Sequence, residues 1–164
     1  MNAPSLPPRH DRMPMVSEVC GDDAEVLALS VARFVAAGYI TSDVARWDAA
    51  FDGAERLLGA AEGGRFVSCV VGIVRALRSE RDAEWSFMPA TCCRLTGHEC
   101  ALVGLIGHGR RRLWDEVGLG AAAITGRDAA PRLVAAVRNA VAAIDSAAGR
   151  LGGTAPRRPR AALH

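Results

Sequence analysis

Lysine and glutamine are absent from this chain, tyrosine occurs once, and eight of the 164 residues are aromatic. Without lysine, all 20 of the Lys and Arg positions are arginine, which reads as the codon bias of a GC-rich, bacterial genome and not as 20 choices of guanidinium chemistry. Uncharged runs stop at about ten residues, Cys100 to Gly109 being one, against the roughly 20 that a bilayer-crossing helix needs. A membrane span is therefore not expected. The start, MNAPSLPPRHDRMP, lacks an apolar stretch after a basic segment, so a secretory signal is missing and a cytoplasmic location is expected.

Catalytic signatures are equally sparse. Gly104, Gly107 and Gly109 are separated by apolar residues with no Lys-Ser/Thr behind them, which excludes a phosphate-binding loop. Asp115 and Glu116 are neighbours that diverge on a helix and form no carboxylate pair. No nucleophile signature surrounds any cysteine, and there is no Cys-x-x-Cys pair. The chain is not expected to be an enzyme. The net charge of +2 gives the body, close to neutral, no broad footprint for nucleic acid or an anionic membrane.

What is present is alanine and helical spacing. A core of small side chains with high helix propensity favours helices over strands. Asp22 or Asp23 opens a pattern with Val26, Leu27, Val31, Phe34 and Val35 on one stripe, ending at Gly38. Thr41 or Ser42 caps a second, with Val44, Trp47, Phe51, Ala54 and Leu58 before Gly59. After GAAEGG, a third places Phe66, Cys69, Val70, Ile73, Val74 and Leu77 inward. The last begins near Asp128, tolerates Pro131 in its first turn, and buries Leu133, Val137, Val141 and Ile144. The expected fold is all-α, an antiparallel helical bundle of five to six helices. Its single domain spans 20–151, between disordered termini: a proline-rich segment 1–19 and a basic tail 152–164.

Two stretches break the regularity. Glu80 to Leu95 has no helical period and is long for a connection in a compact domain, and such loops tend to be functional. Its Trp85, Phe87 and Met88 argue against disorder: they either fold back over the bundle as apolar cover or form a partner- or ligand-facing patch, where Trp and Met are enriched. Residues 92–100 read CCRLTGHEC. Thr96 and Glu99 have the spacing of a capping box before CALVGLIG, with Leu95 and Cys100 as its hydrophobic staple. The same cysteines, Cys92 and Cys93, lie just before a helix N-terminus beside Arg94, two features that stabilise a thiolate. With His98 they also make an alternative zinc or iron site, although His98 and Cys100 point about 200° apart on a helix.

The expected function is that of a small soluble interaction module, regulatory or assembly-related, binding a protein partner around residues 85–93 and needing no cofactor. The alternatives are a thiol-based or metal-binding sensor using Cys92, Cys93 and His98, and a DNA-binding regulator. The last rests on a loose helix-turn-helix pattern from Arg110, Arg111 and Arg112 to a final helix carrying Arg127, Arg132 and Arg138. That triplet equally suits the C-terminus of the preceding helix, where cations are favoured.

Overall fold

The computed structural model describes residues 13–82 and 84–152, and the regular secondary structure within them is all helical, apart from one isolated antiparallel bridge. In order come α1 (Val16–Val19), α2 (Asp23–Thr41), α3 (Val44–Leu58), α4 (Ala60–Glu80), α5 (Gly97–Arg110), α6 (Trp114–Thr125) and α7 (Pro131–Gly152). The expected helical bundle is therefore found. Its count is seven helices in the described residues and not five to six, because the four-residue α1 and the short α6 are separate elements. The N-terminal segment also needs correction. Residues 1–12 and 153–164 lie outside the described part, but residues 13–19 are folded and not disordered. Met15 bridges Arg94 in antiparallel fashion, Val16 N donates to Cys93 O at 2.8 Å, and Leu95 N donates to Pro14 O at 2.9 Å. Backbone pairing, to which the proline-rich composition gives no clue, ties this segment down.

Helix α7 packs on α2, α3, α4, α5 and α6, and α2 on α3, α4, α5 and α7, while α4 and α7 share the most extensive contact. By length and composition α2 could cross a membrane. Its Ala28, Val31, Ala32 and Val35 are instead at most 2 % exposed and belong to the main core with Phe66, Ile73, Leu77, Leu133 and Ile144. A smaller cluster of Leu29, Leu95 and Val103 lies beside it, with Val16, Val19, Cys20 and Cys100 packed against it.

Glycine sets several of these approaches, and two of them move helix boundaries. Gly38 does not end α2. A Cβ there would lie 2.5 Å from Trp47 Nε1, so the missing side chain is what lets the indole of α3 come so close to α2, and the helix runs on to Thr41. Asp43 then caps α3, its carboxylate accepting from Ala45 N. Likewise α4 starts at Ala60, ahead of the glycine pair that sequence alone places in a loop. Gly59, at φ 86°, is the single-residue joint between α3 and α4, and a Cβ on Gly63 would sit 2.5 Å from Glu55 Cα.

The start of α7 is held by a side chain from another helix. Buried Glu80, at the end of α4, accepts from Arg132 N at 2.9 Å and Leu133 N at 2.8 Å, placing a carboxylate on two orphan amides where the helix dipole favours negative charge. Pro131, the first residue of α7, supplies no amide of its own to satisfy. Replacing Glu80 with alanine leaves two amides of the α7 first turn without their acceptor. The expected loss is about 1–3 kcal/mol, read as a lower denaturant midpoint at unchanged slope, with Glu80→Gln retaining part of it.

Candidate functional site

The segment between α4 and α5 forms a strap, irregular except for a turn in which Cys92 N donates to Pro89 O. Its anchor is the capping box foreseen at the start of α5. Thr96 Oγ1 accepts from Glu99 N at 3.1 Å, and Glu99 Oε2 accepts from Thr96 N at 2.8 Å. Leu95 is fully buried and shares the small cluster with Cys100, as a staple requires. Thr96 Oγ1 also donates to Ser86 O at 2.8 Å, so one hydroxyl caps the helix and holds the strap.

Glu99 has a partner that local spacing cannot reveal. Arg33 of α2 meets it side-on, Nε to Oε1 at 2.7 Å and Nη2 to Oε2 at 3.1 Å, with both side chains at most 3 % exposed. Such a pair stabilises only if the remaining donors and acceptors are satisfied, and here the strap's backbone satisfies them. Arg33 donates further to Cys92 O and Arg94 O, each at 2.6 Å, while Glu99 Oε1 accepts from Met88 N at 3.0 Å. One ion pair therefore holds the strap at two places, midway at Met88 and at its C-terminal end from Cys92 to Thr96.

The residues singled out from the sequence fall around this anchor in different ways. Trp85, Phe87 and Met88 are half-buried and fold back over the bundle. Trp85 packs against the main core and meets Phe87 edge to face at 5.9 Å. Together they wall a cleft of about 510 Å³, closed on the other side by Tyr39 and Ile40 of α2 and Arg78 of α4. Arg78 stacks on the Tyr39 ring at 3.8 Å. Phe87 and Met88 also border a smaller hollow of about 250 Å³ with Phe34 and Arg46.

Cys92, Cys93 and His98 do not converge on a common centre, and no group of three or more His, Cys, Asp or Glu suited to a metal ion occurs among the described residues. His98 Nδ1 is approached by Ser86 N at 3.1 Å and Ser86 Oγ at 2.8 Å, and Nε2 by Arg81 Nη2 at 2.9 Å. N–H donors thus face both ring nitrogens, which opposes the doubly protonated ring. Burial, and next the Arg81 charge, hold its pKa below the ordinary 6.5. All five cysteines are free thiols, Cys93 being the exposed one. Burial, with Glu25 adding to it, pushes Cys20 up to about 11; burial and then Glu99 raise Cys100, so these two stay protonated near neutrality.

Three of the six arginines of the helix-turn-helix pattern, Arg110, Arg127 and Arg138, are engaged within the fold, while Arg111, Arg112 and Arg132 are exposed. Arg110 at the end of α5 pairs with Asp22, Glu25 and Asp145 at 2.7–3.0 Å, Arg127 with Asp82 at 2.6 Å, and Arg138 lies 4.6 Å over the Trp114 ring. Arg132 contributes its backbone amide to Glu80. Sequence reasoning missed Arg33, Arg81, Tyr39 and Arg78, the first because its partner is 66 residues away, the others because a cleft wall built from three elements has no linear signature. No protein-family model, no curated protein and no solved structure matches the chain.

Two outcomes follow for this anchor. Glu99→Gln presents an amide NH₂ to groups that only donate, and Arg33→Met leaves the carboxylate buried alone. Each is expected to cost about 3–5 kcal/mol in chemical denaturation. The double variant Arg33→Met/Glu99→Met should not recover it, because Cys92 O, Arg94 O, Met88 N and Thr96 N still lose their partners. The second outcome concerns pH. A histidine with a depressed folded pKa stabilises fully above 6.5, and its contribution is lost as pH falls from there through the folded value. Titration of stability against pH should show this decline in the wild type and lack that component in His98→Gln.

Proposed function

We propose that the chain is a non-catalytic helical recognition module that binds a protein partner in a regulatory or assembly role, with the strap as its contact surface. The supporting observation is the contrast between the strap's anchor and its outer part. The backbone is clamped at Met88 and from Cys92 to Thr96 by the buried Arg33 and Glu99 pair and held at Ser86 by Thr96, while the side chains of Trp85, Phe87 and Met88 keep part of their apolar surface in solvent. A preorganised loop loses little conformational freedom on binding, and aromatic side chains are rich sources of contact energy.

A second reading, thiol sensing, has one observation in its favour: Cys93 is exposed and sits where the strap pairs with the N-terminal segment, its carbonyl accepting from Val16 N. An adduct on Cys93 would press on that pairing. Thiol titration of the folded chain distinguishes this reading: one fast-reacting cysteine, lost in Cys93→Ser, supports it, and uniformly slow reaction removes it.

For the leading reading, affinity capture from cell extract is compared between the wild type and Trp85→Ala/Phe87→Ala. The double variant should keep its helical circular dichroism and lose a defined partner that the wild type retains. An unfolded double variant makes the aromatics part of the core, and unchanged capture places the contact elsewhere. Either result defeats the proposal.

A further inference from the structure

Among the described residues, three buried side-chain atoms lack any hydrogen-bond partner: Arg81 Nε, Arg81 Nη1 and Trp85 Nε1. All three are donors, and both residues line the cleft of about 510 Å³ behind the strap. Native proteins leave few buried donors unpaired, since each forfeits its hydration with no bond in return. Three such donors on two residues that line one cleft point to an acceptor that belongs there.

The surroundings define that acceptor. Arg81 has no carboxylate partner among the described residues: its Nη2 donates to Glu84 O and His98 Nε2, both neutral acceptors. Arg78, also without a carboxylate partner, lies at the same cleft on the Tyr39 ring. Glu84 is the single acid of the lining, so cationic charge prevails by one. The rest is apolar, from Tyr39, Ile40, Trp85 and Phe87 to the Ala36 and Leu77 floor. The volume falls within the roughly 300–1,000 Å³ of small-molecule sites, and a few polar groups in an apolar enclosure is the usual make-up of such a site.

We infer that this cleft is a binding site for a small monocarboxylate with a flat, apolar body, an aromatic acid being the best fit. Its carboxylate pairs with the Arg81 guanidinium and accepts from Trp85 Nε1, and its ring lies among Tyr39, Trp85 and Phe87. The empty donors are covered as the cleft stands, so the ligand reaches them only if the Trp85 ring or the Arg81 side chain gives way. Binding therefore changes the indole's surroundings. The inference stands on the unpaired donors and not on the partner-binding reading; because Trp85 and Phe87 serve both, occupancy of the cleft would also set the shape of the proposed contact surface.

The test uses the purified full chain without any partner, so its result is separate from that of the capture experiment. Phenylacetate and indole-3-acetate are titrated by calorimetry beside acetate and the neutral phenylacetamide. Saturable binding of the two aromatic acids is expected, with the amide at least about tenfold weaker and acetate silent. Arg81→Met should reduce affinity by at least about tenfold. In case that variant fails to fold, ¹⁵N spectra of the wild type read the same contacts: the Arg81 Nε–H and Trp85 Nε1–H signals should move downfield and exchange more slowly with the acid present. Absence of saturable binding, equal binding of the amide, full affinity in a folded Arg81→Met variant, or binding that leaves both N–H signals in place would each overturn the inference.

Discussion

The carboxylate of Glu99 receives four N–H donors, two from Arg33 and one each from Met88 and Thr96, in a place that water does not reach. A buried charge is tolerated only when it is paired and its remaining lone pairs are occupied, and this one meets both conditions by recruiting backbone from an irregular segment. The direction of dependence matters. The bundle would retain its apolar faces without the strap, whereas the strap, with no helix or sheet of its own, depends for its course on contacts made to it, the buried ones coming from Glu99 and Arg33. The cleft follows in turn, since its Trp85 and Phe87 wall is carried on that segment.

A second constraint is the closeness of the helices. With few aromatics available, the core is filled by alanine, valine and leucine, and α2, α3, α4, α5 and α7 approach through glycines at their contacts. Gly38 receives the Trp47 ring, Gly63 the backbone of α3 at Glu55, and Gly109 the side chains of Val137 and Val141. Close packing of small residues leaves little slack in the interior. The available space lies at the margin, between the strap and the α2 and α4 surfaces, where three of the chain's eight aromatic side chains, Tyr39, Trp85 and Phe87, meet.

How much of this was legible in the sequence depended on distance along the chain. The capping box at Thr96 and Glu99, the cap at Asp22 and the stop at Gly59 are local, and residue type and spacing specify them. The helical class and the inward faces of α4 and α7 follow from periodicity in the same way; in α2 the expected stripe was right at Leu27, Val31 and Val35 and wrong at Val26, which is exposed. Gly38 and Gly63 misled because a glycine that breaks a helix and one that admits a neighbour look alike until the neighbour is known. The folding of residues 13–19 was hidden since their partners, Cys93 to Leu95, lie some 80 positions away. For the site, the strap and its aromatics could be picked out as irregular, and the structuring of Glu99 was foreseen. Arg33, which completes that structure, could not be told from the other arginines of an arginine-only chain.

The central claim, that one buried ion pair clamps an otherwise irregular segment, is tested most directly by native-state hydrogen exchange at the amides of Met88 and Thr96. Both lie outside regular secondary structure, yet the account predicts protection close to that of the slowest core amides of α4 and α7, because releasing them means uncovering Glu99 and Arg33 together. Exchange of these two amides at the rate of an open loop, with the core still protected, would contradict it.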